Sequence, residues 1–281
     1  MGIVHIPRQL AKASQSDAEV RAWVDRLPAI VDEVLLDFGV TVGEPFEPGG
    51  QCSWVAPAGP DLVLKVGFWH YEAEHEADGL RFWDGDGTVL LHEARSFAGA
   101  DALLLERCSP GVQLAHALPE PEQDVVIAGL LRRLWRTPPA GHPFRPLYTM
   151  CDAWADEFPG QPALDPGIVA AGLSLLRSLP RDPVDDVLLC TDLHNENVLA
   201  AQREPWLVID PKPYVGDPCY DVVQHLLNTD RLQDDPLGLL RRVAGLLDLD
   251  GERVRQWLFA RCVQQSARWP ELVEAAVRLA P

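Results

Sequence analysis

The sequence predicts an α+β protein in two lobes, a small β-rich N-terminal lobe over residues 1–106 and a larger helical lobe over 107–281. Three observations carry this. Strand-like segments broken by Pro and Gly crowd the first lobe. Apolar residues at helical spacing dominate after residue 111. The change of character falls at Cys108-Ser109-Pro110-Gly111, too short a join for a free linker, so the lobes are expected to hinge across a cleft.

The elements follow in order. The N-terminal part reads as a helical lead-in ending in the amphipathic segment 29–38. Strand-like stretches at 40–46, 51–56 and 61–68 are separated by Pro48-Gly49-Gly50 and Pro57-Ala58-Gly59-Pro60. A helix is expected over 69–83, then strands at 88–96 and 102–107. Three strands, a helix and two strands make a small antiparallel lobe with one helix packed on it. Beyond the join, helices are expected over 125–136, 167–179, 217–228, 236–247 and 253–268. Only short strands interrupt them, near 187–189, 198–200 and 206–209. There is no internal repeat and no low-complexity tract.

Composition narrows the classes. Nearly half of the 281 residues are hydrophobic, so disorder is excluded as a default. No apolar run approaches the roughly 18 residues of a membrane span, and the first thirty residues lack the order of a signal peptide. A cytoplasmic protein that binds no membrane is expected. The six cysteines are scattered at 52, 108, 151, 190, 219 and 262 and read as single thiols, not as a zinc site or a disulfide framework. A net charge of −18 disfavours nucleic acid and suits a cationic small molecule. It also suits an acidic protein kept soluble by its charge. The oligomeric state cannot be read from these patterns.

The strongest chemical signal is Cys190-Thr191-Asp192-Leu193-His194-Asn195-Glu196-Asn197, followed by Trp206-Leu207-Val208-Ile209-Asp210. Phosphoryl transfer needs a carboxylate to accept or orient the proton of an attacking hydroxyl, and oxygen ligands to hold Mg²⁺ against the phosphates of ATP. Asp192 fits the first role and Asn197 and Asp210 the second. The D-L-x-x-x-N order is that of a kinase catalytic loop, and Asp210 stands where D-F-G has its Asp. Any one acidic loop residue is usually a cap or a solvated charge; the specificity lies in the combination.

The second signal is one of only three lysines, Lys12, Lys65 and Lys212. In Leu62-Val63-Leu64-Lys65-Val66, alternation puts Lys65 on one face with Val63 and Gly67, and Leu62, Leu64, Val66 and Phe68 on the other. On the helix that follows, Trp69, Ala73, Glu76, Leu80 and Trp83 share a stripe. Glu76 sits amid apolar neighbours, so a pair between Lys65 and Glu76 would relieve both charges. Glu72 is the fallback partner, and a lysine snorkelling from an edge strand is the plainer reading.

Weaker signals complete the site. Gly49 and Gly50 would let backbone N–H groups approach phosphates, although glycine pairs are more often plain turns. Backbone groups near Glu106 and Cys108 would meet the edge of adenine, although an ordinary buried strand needs no ligand. Asp217, before Pro218, reads as a helix N-cap, and Asp221 as a fastener of the catalytic loop.

T-D-L-H-x-x-N-V-L, W-L-V-I-D-P-K-P and G-D-P-x-Y-D within residues 188–228, with G-G-Q-x-S-W-V, V-L-K-V and E-A-E-H-E-A-D-G-L-R-F-W earlier, resemble the aminoglycoside phosphotransferases. The nearest branch is that of the streptomycin 6-phosphotransferases and hydroxyurea phosphotransferases. The resemblance implies a bilobal protein-kinase-like fold and Mg²⁺-dependent transfer from ATP to a substrate hydroxyl, with antibiotic resistance as the outcome. It implies that Lys65 holds the α- and β-phosphates, that Glu76 orients it, that Asp192 is the base, and that Asn197 and Asp210 are the Mg²⁺ ligands. Cys190-Thr191 replaces the His-Gly that usually precedes Asp192. A small apolar Cys can pack in the histidine's place, whereas Thr191 restricts the backbone where glycine is free.

A streptomycin-like aminoglycoside is the expected acceptor, with Asp152, Asp156 and Glu157 as carboxylates for its guanidinium groups. The alternatives are a kinase for hydroxyurea or another small metabolite or sugar, and a catalytically silent kinase-fold binding protein.

Overall fold

A computed structural model describes residues 4–281. The chain divides into two compact units, Met1–Gly111 with Ala201–Leu207, and Val112–Ala200 with Val208–Pro281. Among the described residues no helix is long and apolar enough to cross a membrane.

The first unit opens with α1 (Arg8–Ser16) and α2 (Ala18–Phe38). Asp17 caps α2 by accepting the N–H groups of Glu19 and Val20, and Gly39 ends it in the left-handed region. Strands β1 (Ser53–Pro57) and β2 (Leu62–Phe68) precede α3 (Glu76–Trp83), and β3 (Leu91–Phe97) and β4 (Ala100–Glu106) follow it. They form one antiparallel sheet in the order β1-β2-β4-β3. Alternation decides what each face of β2 meets. Leu64 and Val66 join Trp54, Ala102 and Leu104 in a core closed by Trp23, Leu27, Val31 and Val34 of α2. Each Leu or Val among them contributes about 1.5–3 kcal/mol by leaving water. Lys65, between them in sequence, is turned to the opposite face.

Two expected elements differ. Residues 40–46 form no strand; Gly43 and Phe46 each donate one hydrogen bond, to Pro57 and Val55, without a continuing ladder. Pro45 has no N–H to give, so pairing stops there. The helix expected over 69–83 is a 3-10 turn at Tyr71–Ala73 followed by α3, and Trp69 is half exposed. The buried stripe is Glu76, Leu80 and Trp83.

The segment 201–207 groups with the first unit through Arg203. Its guanidinium takes the Glu106 carboxylate (2.9 Å) and the carbonyls of Gly85 and Thr88 (both 2.8 Å).

In the second unit α4 (Leu114–Ala117), α5 (Glu120–Leu134), α6 (Leu147–Asp156) and α7 (Pro166–Ser178) come first. Four three-residue strands follow, β5 (Val187–Leu189), β6 (Val198–Ala200), β7 (Trp206–Val208) and β8 (Tyr214–Gly216), with β5 antiparallel to β8. The chain ends with α8 (Pro218–Asp221), α9 (Val223–Leu227), α10 (Arg231–Asp234), α11 (Pro236–Leu247), α12 (Gly251–Gln265) and α13 (Leu272–Leu279). The stretch expected as one helix over 217–228 is thus two, α8 and α9. The core helix is α12, buried from Trp257 to Val263. At Gly172 of α7 an added Cβ would lie 2.7 Å from the Val263 side chain, so the close approach of α7 to α12 needs glycine there.

Candidate active site

On the open face of β2 the Lys65 ammonium lies 2.7 Å from both carboxylate oxygens of Glu76. The side chains are 11% and 7% exposed. Two opposite charges placed together out of water are each costly alone, so removing either leaves the other buried and uncompensated. Glu76 opens α3, which brings it back over the strand. Glu72 meets Tyr71 instead.

Gly49 has a positive φ of 77°, and a Cβ there would lie 2.5 Å from Pro7. The fold accounts for this glycine without a ligand, by a tight turn pressed on the N-terminal segment. A Cβ on Gly50 would meet the Ser53 hydroxyl at 3.0 Å. Glu106 is engaged twice over: its N–H donates to the Leu90 carbonyl, and its carboxylate accepts from the Leu90 N–H (3.0 Å) and from Arg203. Burial, reinforced by the Glu106 charge, pushes the Cys108 thiol up to about 12. That side chain therefore stays a neutral, half-buried group.

In the second unit the catalytic-loop sequence leaves β5 at Cys190. Thr191 takes φ +52°, in a region that costs a side-chain-bearing residue roughly 1–2 kcal/mol. The surroundings hold it there. The buried carboxylate of Asp221 accepts the N–H of Cys190 (3.0 Å) and of Thr191 (2.6 Å) and the indole N–H of Trp135 (3.0 Å). The Thr191 hydroxyl donates to the Lys212 carbonyl. Burial pushes the Asp221 carboxyl up to about 6, against the pull of its three N–H donors. Cys190 is fully buried, with its thiol raised well above the usual range by desolvation. It packs as an apolar group.

The loop carries Asp192, whose Oδ1 accepts from Gln224 Nε2 at 3.1 Å. The Asn197 amide donates to the Asp192 carbonyl (3.0 Å) and approaches Oδ2 at 3.4 Å. Its oxygen is thus the end left for a cation. The Asn197 carbonyl accepts from the Ile209 N–H at 2.9 Å, which ties the loop to the segment bearing Asp210. Asp210 takes φ +54°, and its carboxylate accepts from the Lys212 ammonium. Asp192, Asn197 and Asp210 therefore lie on one hydrogen-bonded framework. For Mg²⁺ the donor types are suitable: a carboxylate that already holds a cation and an amide oxygen, both hard ligands, on segments joined by the Ile209–Asn197 hydrogen bond. Mg²⁺ keeps waters and takes phosphate oxygens for the rest of its shell, so few protein ligands suffice.

Asp217 caps α8 through the Cys219 N–H (2.9 Å) and takes the Arg253 guanidinium and the Trp257 indole N–H (2.9 Å), a structural post. Two of the three carboxylates expected to meet a guanidinium-bearing acceptor are already occupied. Arg181 forks onto Asp152, and Arg177 pairs with Asp156 at 2.7 Å. Both arginines lie about a helical turn apart on α7 and the 3-10 turn after it, which bring them against α6. Glu157 is exposed at the end of α6. Gln224 carries no signal of its own in the sequence, as a lone amide in a helical stretch. Its signal was Arg261, a lone charge inside the apolar run Trp257–Val263.

The arrangement of each unit is that of known small-molecule kinases. An aminoglycoside phosphotransferase of Streptomyces rimosus, solved with ADP and streptomycin, superposes with a TM-score of 0.60 at 17% identity, covering 85% of this chain and 98% of that one. A choline kinase of Streptococcus pneumoniae gives 0.58 at 16% identity, covering 89% and 95%. The fold is the bilobal protein-kinase-like fold. Residues 48–272 match the family described as aminoglycoside/hydroxyurea antibiotic resistance kinase. The streptomycin 6-kinase of Streptomyces glaucescens is 36% identical, covering 95% of this chain and 91% of that protein. A hydroxyurea phosphotransferase of Kitasatospora aureofaciens is 34% identical, covering 93% and 79%. The chain belongs to the aminoglycoside/hydroxyurea antibiotic resistance kinase family and is an ATP-dependent phosphotransferase.

Proposed function

We propose that the chain transfers the γ-phosphoryl group of ATP to a hydroxyl of a streptomycin-like aminoglycoside, in the cytoplasm, and so confers resistance. The reading rests on the 36% identity to a streptomycin 6-kinase along nearly the whole chain. Asp192 takes the proton of the attacking hydroxyl. Lys65, held by Glu76, binds the α- and β-phosphates. Asn197 and Asp210 hold Mg²⁺, which neutralises charge on the phosphates when bound. Backbone groups at Gly49 and Gly50 line the phosphates, and those at Glu106 and Cys108 the adenine edge. The net charge of −18 favours approach of a polycationic acceptor.

The test is ADP release with Mg²⁺ and ATP across a panel of aminoglycosides that includes streptomycin, with hydroxyurea beside them. Stimulation by streptomycin and a product heavier by one phosphoryl group is the expected result. A second reading, hydroxyurea as acceptor, is favoured by the 34% identity to a hydroxyurea phosphotransferase; stimulation by hydroxyurea alone would select it. Stimulation by neither removes both acceptors.

A further inference from the structure

Arg261 is buried at 2% exposure in the middle of α12, yet no carboxylate lies within ion-pair distance of it among the described residues. Its guanidinium stacks on the Trp154 indole at 4.0 Å and donates to the amide oxygens of Gln264 and, at 3.5 Å, of Gln224. A buried cation satisfied only by amide oxygens and a ring face is expensive unless its field ends on an anion nearby. Such an anion stands one residue further on. Gln224 turns its oxygen to Arg261 and its nitrogen to Asp192 Oδ1 at 3.1 Å. The chemistry fixes that amide's orientation: the oxygen must face the donor-only guanidinium, so the N–H must face the acceptor-only carboxylate.

We propose that Gln224 is a positioning residue for the phosphotransfer, an amide relay locked by Arg261 and Trp154 that holds the Asp192 carboxylate in the rotamer needed to receive the acceptor's proton. The inference rests on Asp192 being the base. Hydrogen bonds in series polarise one another, so the Arg261 charge strengthens the grip of Gln224 on the carboxylate. Asn197 contacts Oδ2 from the other side at 3.4 Å, and the two amides together limit rotation of the carboxylate plane. Gln224 makes no covalent contribution; it acts through Asp192.

The experiment compares Gln224→Leu, Gln224→Glu and Asp192→Asn in the full chain, with ATP and streptomycin, or hydroxyurea should the panel select it. Thermal melting and ADP binding serve as checks on folding. Gln224→Glu keeps the length of the side chain and an oxygen for Arg261, but sets a carboxylate against Asp192 in place of a donor. A packing role would tolerate it. The relay predicts a fall in kcat of about tenfold or more for both Gln224 variants, with KM for ATP and acceptor within about threefold, since misplacing a reacting group by a fraction of an ångström acts on the transition state. Arg261→Met, which preserves length, is expected to lower kcat less, and to add nothing in the Gln224→Leu background. Wild-type kcat in Gln224→Glu, alongside loss of turnover in Asp192→Asn, overturns the relay alone. Turnover retained in Asp192→Asn overturns the base assignment and the relay with it.

Discussion

Lys65 and Asp192 are charged side chains set into two units of one enzyme, and they are held by different means. Lys65 has a carboxylate eleven residues along, 2.7 Å away at both oxygens. The Asp192 loop is fixed from several directions at once, by Asp221 beneath Cys190 and Thr191, by Lys212 at the Thr191 hydroxyl, and by Gln224 and Asn197 at the carboxylate. A local pair resists removal of either member, because the survivor is left as a buried charge. A networked loop resists local change but depends on supports that do no chemistry themselves.

This contrast can be broken most sharply at the two charges. Asp192→Asn is expected to lower turnover by about a thousandfold while ATP still binds, because only the proposed proton acceptor is lost. Lys65→Met is expected to lower turnover by about a hundredfold and to weaken ATP binding, because it removes the proposed phosphate contact and strands Glu76. Steady-state rates with nucleotide titrations separate them. Equal losses with unchanged ATP affinity in both would erase the distinction.

The next effect concerns stability and its dependence on pH. The carboxyl of Asp221 moves from 3.8 unfolded to about 6 folded. The folded chain thus binds this proton more tightly than the unfolded one. Its contribution is greatest below 3.8 and falls by about 3 kcal/mol as pH rises through 6. Asp124, equally buried, has the opposite sign. Burial pushes it up, but hydrogen bonds from His225, Arg231 and Arg242 outweigh burial and hold it below the usual range, so its contribution is present at neutral pH and lost in acid. Urea unfolding should show the wild-type advantage over Asp221→Asn shrinking between pH 4 and 6, and that over Asp124→Asn growing as pH rises from acid. Parallel trends in the two variants would contradict the opposite environments.

The smallest effect lies at Thr191. Thr191→Gly relieves a left-handed backbone but gives up the hydroxyl bond to Lys212, two terms of about 1 kcal/mol each that oppose one another. Stability is expected to change by less than about 1 kcal/mol. A loss well beyond that, measured by denaturant unfolding, would mean the threonine does more than make the hydroxyl bond to Lys212.

The sequence by itself determined the two-lobed class and the order of Asp192, Asn197 and Asp210, and pointed to the Lys65–Glu76 pair that the packed strand and helix then decided over Glu72. Each is written in short-range periodicity: alternation in β2, helical spacing in α3, and fixed offsets in one loop. It failed where distant segments decide. Residues 40–46 have strand composition, but Pro45 leaves a gap in the donors a ladder requires. Residues 201–207 group with the first unit because Arg203 finds Glu106 and two carbonyls there. Asp152 and Asp156 read as free acids until the folding of α7 against α6 supplied their arginines. Gln224 gained its place from α12, through an arginine whose surroundings only the packed helices create. Local pattern says which way a side chain faces along its own element; what it meets there depends on non-local packing, and hydrogen bonds and ion pairs are satisfied only by what it meets.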